Sequence, residues 1–438
     1  MLSLIGILLG VAAFIGIAFI GFNTIFVSLG AASIVAAFGG MNPFTALAEK
    51  FMPSATGFVT GYFLIFMFSA LFARIMGDSG AAPSIALKLS RMVRKIKNPR
   101  MQRFMAVMCI PIINMVLTYG GVNTFVVVFL MVTIARSLFK ELDIPWSMYT
   151  CGFLGSATIT VGMLPGSPQM SNLVPMEFFG TDTMAAPVLG IVCAILGLII
   201  GCGWIWFQTV RNEKKSLGFF PTGALVDKDP LAEVNIDNEK PLILCLIPMV
   251  VVFVILNILK WGAVCALFSG CLVGWLIFNP TKLKLKDLLA GAVPLGVMPL
   301  LTVACASGFG GVVRAVPGFT FVTDSLATVG INPFTVVLIT NICAGICGSS
   351  SSGERITLDC FADMFLKSGV SAPTLHRLVA MSSMGLDTLP HCAGVITCLS
   401  TTKMTHRQCY LNIFVMSVAM PIVVSIIAAA MVSMGLFA

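Results

Sequence analysis

The stretch Gly-Ile-Cys-Gly-Ser-Ser-Ser-Ser-Gly at residues 345–353 decides the fold, because it places small and polar residues inside a mostly apolar region. Backbone polar groups in hydrocarbon must be paired internally or face a polar cavity. A glycine- and serine-rich interruption at membrane depth therefore predicts a helical hairpin whose tip faces a polar site. The apolar residues on either side extend that hairpin to residues 333–366.

The rest of the chain supports a membrane setting. Of 438 residues, 58% are hydrophobic and only 10% are charged, whereas soluble domains have about 25% charged residues. The first apolar segment lacks a basic leader, so we interpret it as a mature helix. Six apolar runs approach or exceed the roughly 20 residues that cross a bilayer core: 2–20, 55–76, 183–208, 241–258, 261–278 and 408–436. Together these features predict an all-α polytopic membrane protein.

Loop charges predict the topology. Basic residues are concentrated between residues 77 and 103, where Asp78 is the single acid, and such loops face the cytoplasm. The net charge of +8 comes from such loops and does not indicate nucleic-acid binding. Further basic loops lie at 136–140, 211–215, 282–286 and 403–407. All of these basic loops can face the cytoplasm only if the segment 104–140 enters the membrane and returns to the same side. This topology predicts about ten spanning helices, two re-entrant hairpins and both termini outside.

The two halves of the chain show paired interruptions. The first hairpin, 104–140, has a glycine-rich tip at 119–124, matching the one at 345–353. Each hairpin is followed by a helix with a Leu-Pro interruption: the first Leu-Pro break at 163–169 and the second at 387–391. Five spanning helices per half would invert the second half, as in many secondary carriers. The chain is therefore predicted to have three parts. The first inverted repeat covers 1–208 and contains a broken helix at 147–176. A cytoplasmic linker covers 209–240, and the second inverted repeat covers 241–438 with a broken helix at 373–398.

These four interruptions are the predicted binding site. Helix N-termini at the membrane midplane offer free N–H groups and partial positive charge, which suits a carboxylate. Serine and threonine hydroxyls add donors without a permanent charge. Close helix packing is the alternative role for such small residues. The candidate substrate-binding residues are Gly120, Gly121, Asn123, Thr124, Gly166, Ser167, Gln169, Ser349, Ser350, Ser351, Ser352 and Thr388.

Ionisable residues at membrane depth are costly and therefore functional candidates. Asp387 and His391 flank the second Leu-Pro break and could together exchange a proton near neutral pH. Glu354 is the third candidate for proton coupling. The alternatives are that Asp387 caps a helix and that His391 is a satisfied polar group. Glu354 and Arg355 could also pair with each other or lie at the interface, and Arg355 could be a substrate counter-ion.

Other protein classes receive little support. No nucleophile elbow accompanies the serine run, so an enzyme is not expected. The three histidines have no metal-ligand spacing and the 14 cysteines form no CxxC pair, so neither a metal nor another cofactor is expected. A non-transporting membrane sensor is a remote alternative, and it would need an output domain larger than the linker at 209–240.

Several motifs resemble the gluconate permease (GntP) family of bacterial symporters, within the ion transporter superfamily. They are Asp-Ser-Gly-Ala-Ala at 78–82, Leu-Pro-x-x-Pro at 164–168, Gly-Phe-Gly-Gly-Val-Val at 308–313, and Gly-Ser at 348–349. Gluconate-type members have a histidine-containing LPPHPGP at the first break and GSATV at the second tip, which this chain lacks. The segment 386–391 is more similar to the branch associated with hydroxybutyrate-type acids.

The resemblance implies proton symport by an elevator mechanism, in which a substrate domain slides against a dimeric scaffold in the bacterial inner membrane. The leading hypothesis is thus a homodimeric, lipid-embedded carrier that takes up a short monocarboxylate or hydroxy acid with protons, gluconate being the outer limit. A sodium-coupled carboxylate carrier or a cation antiporter is the alternative, because backbone carbonyls at the same breaks could bind Na⁺.

Overall fold

The computed structural model describes residues 2–20, 22–122, 124–228, 239–278, 284–328, 330–390 and 392–437. All regular structure within these residues is helical. The prediction of an all-α chain is therefore confirmed.

The first half contains ten α-helices among the described residues, several of which continue into short π-helical turns. They are α1 (Leu2–Phe19), α2 (Thr24–Phe38), α3 (Pro43–Ala46), α4 (Met52–Asp78, preceded by the π-turn Leu47–Phe51), α5 (Ala81–Arg94), α6 (Pro99–Tyr119), α7 (Thr124–Glu141), α8 (Tyr149–Thr158, followed by the π-turn Ile159–Met163), α9 (Met170–Phe179) and α10 (Pro187–Lys214).

The second half contributes another ten within the described ranges. They are α11 (Leu242–Phe253, followed by the π-turn Val254–Ile258), α12 (Ala263–Ile277), α13 (Leu285–Ala315), α14 (Pro317–Thr328), α15 (Pro333–Cys347), α16 (Ser350–Leu366), α17 (Ala372–Leu386), α18 (Ala393–Thr402), α19 (His406–Ile413) and α20 (Met420–Ser433, preceded by the π-turn Phe414–Ala419).

Five helical stretches of the described chain are long and apolar enough to cross a membrane. They are Pro43–Asp78, Pro99–Tyr119, Pro187–Lys214, Leu285–Ala315 and His406–Ser433. Shorter apolar helices include α12 and α15. This pattern fits a polytopic membrane protein, whereas the number of ten spans and the inverted repeat stay predictions. With 21 residues, α6 reaches about 31 Å at 1.5 Å per residue, so this arm of the first hairpin has the length of a full span.

Two long helices, one from each half, form the central contact of the molecule. Along α13, Gly291 faces Arg74, Gly296 faces Phe66, and Gly308 faces Phe51. The partner numbers fall as the α13 numbers rise, so α4 and α13 run antiparallel over most of their length. Glycines at these points let the two backbones approach closely, as is usual between membrane helices.

Ion pairs join the loops that the charge pattern assigns to the cytoplasm. Arg91–Glu239, Arg100–Glu213 and Lys140–Asp227 connect α5, α6 and α7 with the linker region, and Arg94–Glu141 connects α5 with α7. Two other ion pairs, Lys260–Asp182 and Arg355–Glu177, do not involve these loops.

The apolar interior has two cores, and neither belongs to one half of the chain. One core combines residues of α6 and α7 with residues of α11, α12 and α18. The other combines residues of α2 and α4 with residues of α13, α15 and α20. The linker at 209–240 therefore divides the sequence but not the packing, and residues from both halves meet around the middle of the molecule.

Candidate functional site

The second hairpin turns at Gly348 and Ser349. Gly348 adopts a left-handed conformation, with φ of +57°, at the end of α15. Ser349 then caps α16 by accepting a hydrogen bond from the Ser352 amide. Gly353 on α16 lies against the backbone of Ala344 on α15, so the two helices of the hairpin are antiparallel and closely packed. The first turn of α16 therefore lies at the tip of the hairpin, where most of it is buried.

The first Leu-Pro break separates α8 and its π-turn from α9. Gly166 has a φ of +79°, and its amide donates to the Thr183 carbonyl at 2.8 Å. The Tyr119 hydroxyl donates to the Pro165 carbonyl, and the Asn257 amide donates to the Gly166 carbonyl, both at 2.9 Å. These contacts replace the helical hydrogen bonds that the unwound segment gives up.

The second Leu-Pro break, between α17 and α18, is held mainly by hydroxyl groups. Thr388 Oγ1 donates to the Ser417 carbonyl at 2.8 Å, and the Tyr410 hydroxyl donates to the Thr388 carbonyl at 3.3 Å. A ring nitrogen of His406 lies 3.2 Å from the Pro390 carbonyl. His391, one of the predicted proton-coupling residues, lies outside the described residues, as does Asn123 at the first hairpin tip.

A cavity of about 140 Å³ lies between these elements. Four helix N-termini contribute their first turns to its wall: α7 through Thr124, α9 through Met170 and Ser171, α16 through Ser350 and Ser351, and α18 through Gly394. Apolar side chains from α1, α4, α8 and α13 complete the wall: Phe14, Phe66, Leu154 and Val303. None of the described lining residues is a lysine or an arginine.

The structure brings one group of predicted residues together at this cavity. The group combines the second hairpin tip, both Leu-Pro breaks and the start of α7: Thr124, Gln169, Ser349, Ser350, Ser351, Asp387 and Thr388. Gln169 also links the two first-half interruptions, because its amide donates to the carbonyls of Thr118 and Val122.

A second group of predicted residues lies away from the cavity wall. Gly120 packs against Met249, and Gly121 packs against Val252 and Leu267, so the described part of the first hairpin tip contacts α11 and α12 instead. Close helix packing, the alternative weighed for small residues, describes these two glycines. The remaining residues of this group are Gly166 and Ser167 in the first break and Ser352, whose hydroxyl donates to the Val303 carbonyl.

Two buried carboxylates accompany the site. Asp387 lines the cavity, where the Ser350 hydroxyl interacts with its carboxylate. Glu354 has no exposed surface, and its Oε1 lies 2.7 Å from Ser383 Oγ. The same hydroxyl lies 2.9 Å from the Ala380 carbonyl. One hydroxyl hydrogen can serve only one acceptor, so a proton carried by Glu354 would complete both hydrogen bonds.

Glu354 and Arg355 do not pair with each other. Arg355 is partly exposed and binds Glu177 at 2.8 Å and Asp359 at 3.5 Å. Its guanidinium also lies 5.1 Å from the centre of the Phe178 ring. The residue belongs to the edge of the hairpin and not to the cavity wall, so a role as the substrate counter-ion receives no support.

Sequence reasoning missed two adjacent buried residues of α17, His376 and Arg377. Both have no exposed surface. Arg377 donates hydrogen bonds to carbonyls around the first Leu-Pro break, and His376 contacts Asn172 and Thr181. The available signal was a pair of basic residues inside the predicted broken helix 373–398, which was overlooked because they lie near its start.

Comparisons with known proteins identify the family. A sequence model described as "GntP family permease" matches residues 2–271, more than half of the chain. The chain is also 28% identical, over 413 residues, to the "Uncharacterized transporter YxjC" of Bacillus subtilis (strain 168); the alignment covers 83% of this chain and 84% of that protein. The apolar helices and these relatives indicate a multi-pass membrane protein. The chain therefore belongs to the GntP family of permeases.

Proposed function

We propose that this permease is a secondary active transporter that carries a short monocarboxylate or hydroxy acid into the cell together with protons. The observation that carries the proposal is the convergence of four helix N-termini on one small cavity that also contains Asp387.

The N-termini favour an anion. The first turns of α7, α9, α16 and α18 contribute backbone N–H groups at the start of the helical hydrogen-bond ladder and partial positive charge. The serine hydroxyls at the start of α16 add further donors. With no lysine or arginine among the described lining residues, binding relies on dipoles and hydrogen bonds. That arrangement suits a carrier, because the anion must also be released.

The size and lining of the cavity favour a small acid with a short tail. At about 140 Å³ the cavity resembles engineered cavities of about 150 Å³ that hold one benzene molecule. Much of its wall is apolar, through residues such as Phe14, Leu154 and Val303. A polyhydroxylated acid of the gluconate type would bring more hydroxyl groups than this wall can satisfy with hydrogen bonds. We therefore take gluconate as the outer limit of the substrates that the cavity accepts.

Asp387 provides the reason for proton coupling. A substrate carboxylate and an ionised Asp387 would repel each other within one small, water-poor cavity. Substrate binding therefore favours a proton on Asp387, and by linkage the proton favours substrate binding. Glu354, buried one helical turn beyond the hairpin tip, is a second proton carrier in this proposal, and His391 is the third.

Sodium coupling is the second candidate, and buried oxygen atoms support it. Asn341 Oδ1, Asp387 Oδ1 and Ser417 Oγ each lack a hydrogen-bond partner among the described residues. All three lie near the second Leu-Pro break, because Asn341 contacts Gly385 and the Ser417 carbonyl accepts from Thr388. Oxygen atoms of this kind are the ligands that hard cations prefer.

The wider arrangement follows the family resemblance. We propose an elevator movement on a homodimeric scaffold in the bacterial inner membrane. The packing is compatible with this proposal, because each of the two apolar cores combines both halves of the chain.

Uptake into proteoliposomes tests the proposal. The purified protein is offered short straight-chain acids, their hydroxy derivatives and gluconate, under either an inward proton gradient or an inward Na⁺ gradient. Protein-free liposomes correct for passive entry of the undissociated acid, and a pH dye inside the vesicles reports proton entry.

The expected result is saturable uptake of a short acid with proton entry and without a Na⁺ requirement. Uptake that requires Na⁺ and moves no proton would replace the proton proposal with the sodium alternative. Binding of an acid without any uptake would favour the non-transporting sensor.

A further inference from the structure

The guanidinium of Arg377 is buried at the first Leu-Pro break. Its side chain has no exposed surface, and none of the ion pairs among described residues involves it. A buried charge without a direct counter-ion is costly in a membrane protein. Such a residue persists only where its hydrogen bonds offset the cost.

Backbone carbonyls supply those hydrogen bonds. The guanidinium donates to Ala185 at 2.9 and 3.2 Å, and to Thr183 at 3.3 Å. It also approaches the carbonyls of Gly162 and Leu164 at 3.4 and 3.5 Å. Gly162 and Leu164 flank the point where the helix unwinds, so Arg377 satisfies acceptors on both sides of the first break.

Neighbouring residues extend the same network. Asn172 donates to the carbonyls of Ser167 and Thr183, both at 2.9 Å, and its Oδ1 lies 3.1 Å from a ring nitrogen of His376. Room for the guanidinium comes from Gly190 on α10, where an added Cβ would lie 3.2 Å from Arg377 Nε. The arrangement joins α17 of the second half to the unwound segment of the first half.

Arginine suits this position better than lysine. Its planar fork has five N–H donors with fixed directions, whereas lysine is a flexible point charge with three. Four carbonyls from two chain segments can be bound at once only by such a fork.

We propose that Arg377 is a positioning residue that holds the first Leu-Pro break unwound, so that Gln169, Met170 and Ser171 face the substrate cavity. The inference rests on the proposed function only in taking that cavity as the substrate site. Arg377 itself does not line the cavity and acts through the backbone of residues 162–185.

Hydrogen–deuterium exchange on the purified full-length protein tests the inference without any substrate. Arg377→Gln is expected to raise exchange about tenfold in peptides covering 162–187, where the Gly166 amide is bonded to Thr183. Peptides covering the second Leu-Pro break should be unchanged. Arg377→Lys should give an intermediate result, because it restores the charge and part of the hydrogen bonding. Arg91→Gln, whose ion-pair partner is Glu239, is the control and should leave 162–187 unchanged.

Uptake of the best wild-type substrate from the acid panel adds a second measurement. The apparent Km should rise at least about tenfold in Arg377→Gln, with partial recovery in Arg377→Lys. A protein that transports no acid of the panel would contradict the proposed function while leaving the exchange experiment fully interpretable.

A folded Arg377→Gln with unchanged exchange at 162–187 would overturn the inference, as would an increase spread evenly over all peptides. If that variant fails to fold, Arg377→Lys and Asn172→Ala replace it. Asn172→Ala removes the donors to Ser167 and Thr183 without changing the charge, and unchanged local exchange in both would be equally decisive against the inference.

Discussion

The two Leu-Pro breaks occupy corresponding places in the halves of the chain but are stabilised by different chemistry. The first break is surrounded by donors, namely Arg377, Asn172, Asn257 and Tyr119. The second break contains a carboxylate, Asp387, and is held by hydroxyl groups of Thr388 and Tyr410. A buried guanidinium group therefore accompanies one break, and a buried carboxyl group accompanies the other.

This difference teaches that a shared backbone plan does not imply shared roles. The first break has its carbonyl groups satisfied by fixed side chains, so it is suited to stay in one conformation. The second break leaves Asp387 Oδ1 without a partner among the described residues, so it is suited to bind and release a proton or a cation. We infer that ion coupling belongs to the second half.

Replacing Asp387 with asparagine should have the largest effect. The amide cannot ionise, so pH-driven accumulation should be abolished in proteoliposomes while exchange of internal for external substrate continues. Asp363→Asn is the matched control, because Asp363 is an exposed carboxylate on α16 and should not affect uptake. Normal accumulation by Asp387→Asn would remove the functional contrast between the two breaks.

Glu354→Gln should have a smaller effect and separates the two buried carboxylates. The amide keeps an oxygen that can accept from Ser383, so the protein should fold. We expect the maximal uptake rate to fall about three- to tenfold and its dependence on external pH to become weaker. If Glu354→Gln matched the wild type in uptake rate at both acidic and neutral pH, Asp387 would be the sole carboxylate in the coupling proposal.

Removing the hydroxyls at the second hairpin tip should act mainly on affinity, with a smaller effect on coupling because the Ser350 hydroxyl also interacts with Asp387. A neutral hydrogen bond contributes about 0.5–1.5 kcal/mol, so Ser350→Ala with Ser351→Ala should raise the apparent Km about three- to tenfold. Ser352→Ala is the control, because that hydroxyl donates to Val303; it should lower the melting temperature and preserve Km. Equal Km values for the double variant and the wild type would mean that this tip does not contact the substrate.

Of these changes, breaking the Lys260–Asp182 ion pair should have the smallest effect, and that effect should be on stability. Asp182 precedes Thr183, which binds the first break, and the hydrogen bond from Lys260 holds the pKa of the Asp182 carboxyl below its ordinary value. A carboxyl with a lowered pKa stabilises the folded state above its unfolded pKa of about 3.9, and that contribution disappears as the pH falls.

Lys260→Ala should therefore lower the free energy of unfolding by less than about 1 kcal/mol at neutral pH, because both side chains are exposed. The difference from wild type, measured by thermal unfolding, should shrink below about pH 4. A difference that persists in acid would mean that Lys260 stabilises the segment by packing instead of by charge.

Several features of the fold could be predicted from local pattern. The apolar runs predicted an all-α membrane chain, and the Leu-Pro and glycine-rich stretches coincide with the ends of helices α6, α8, α15 and α17. These signals are local, because proline and glycine weaken a helix through the backbone at their own position. The inverted repeat, the number of spans and the roles of the site residues stay predictions.

The positions of side chains at the site could not be predicted in the same way. Gly120 and Gly121 resemble Gly348 in sequence, but the structure packs them against Met249, Val252 and Leu267. Arg377 is separated from Gly162 by more than 200 residues, and only the packing of α17 against the first break brings them together.

The sequence by itself determined that this protein is helical, membrane-embedded and interrupted at paired places, because apolar run length and helix-breaking residues act over a few turns. Only the tertiary structure decided that four helix N-termini share one cavity with Asp387 and that Arg377 contacts carbonyl groups at the first break. Those facts depend on contacts between distant segments, and the hydrophobic pattern of a membrane chain does not specify which helices meet, because lipid and helix surfaces are equally apolar.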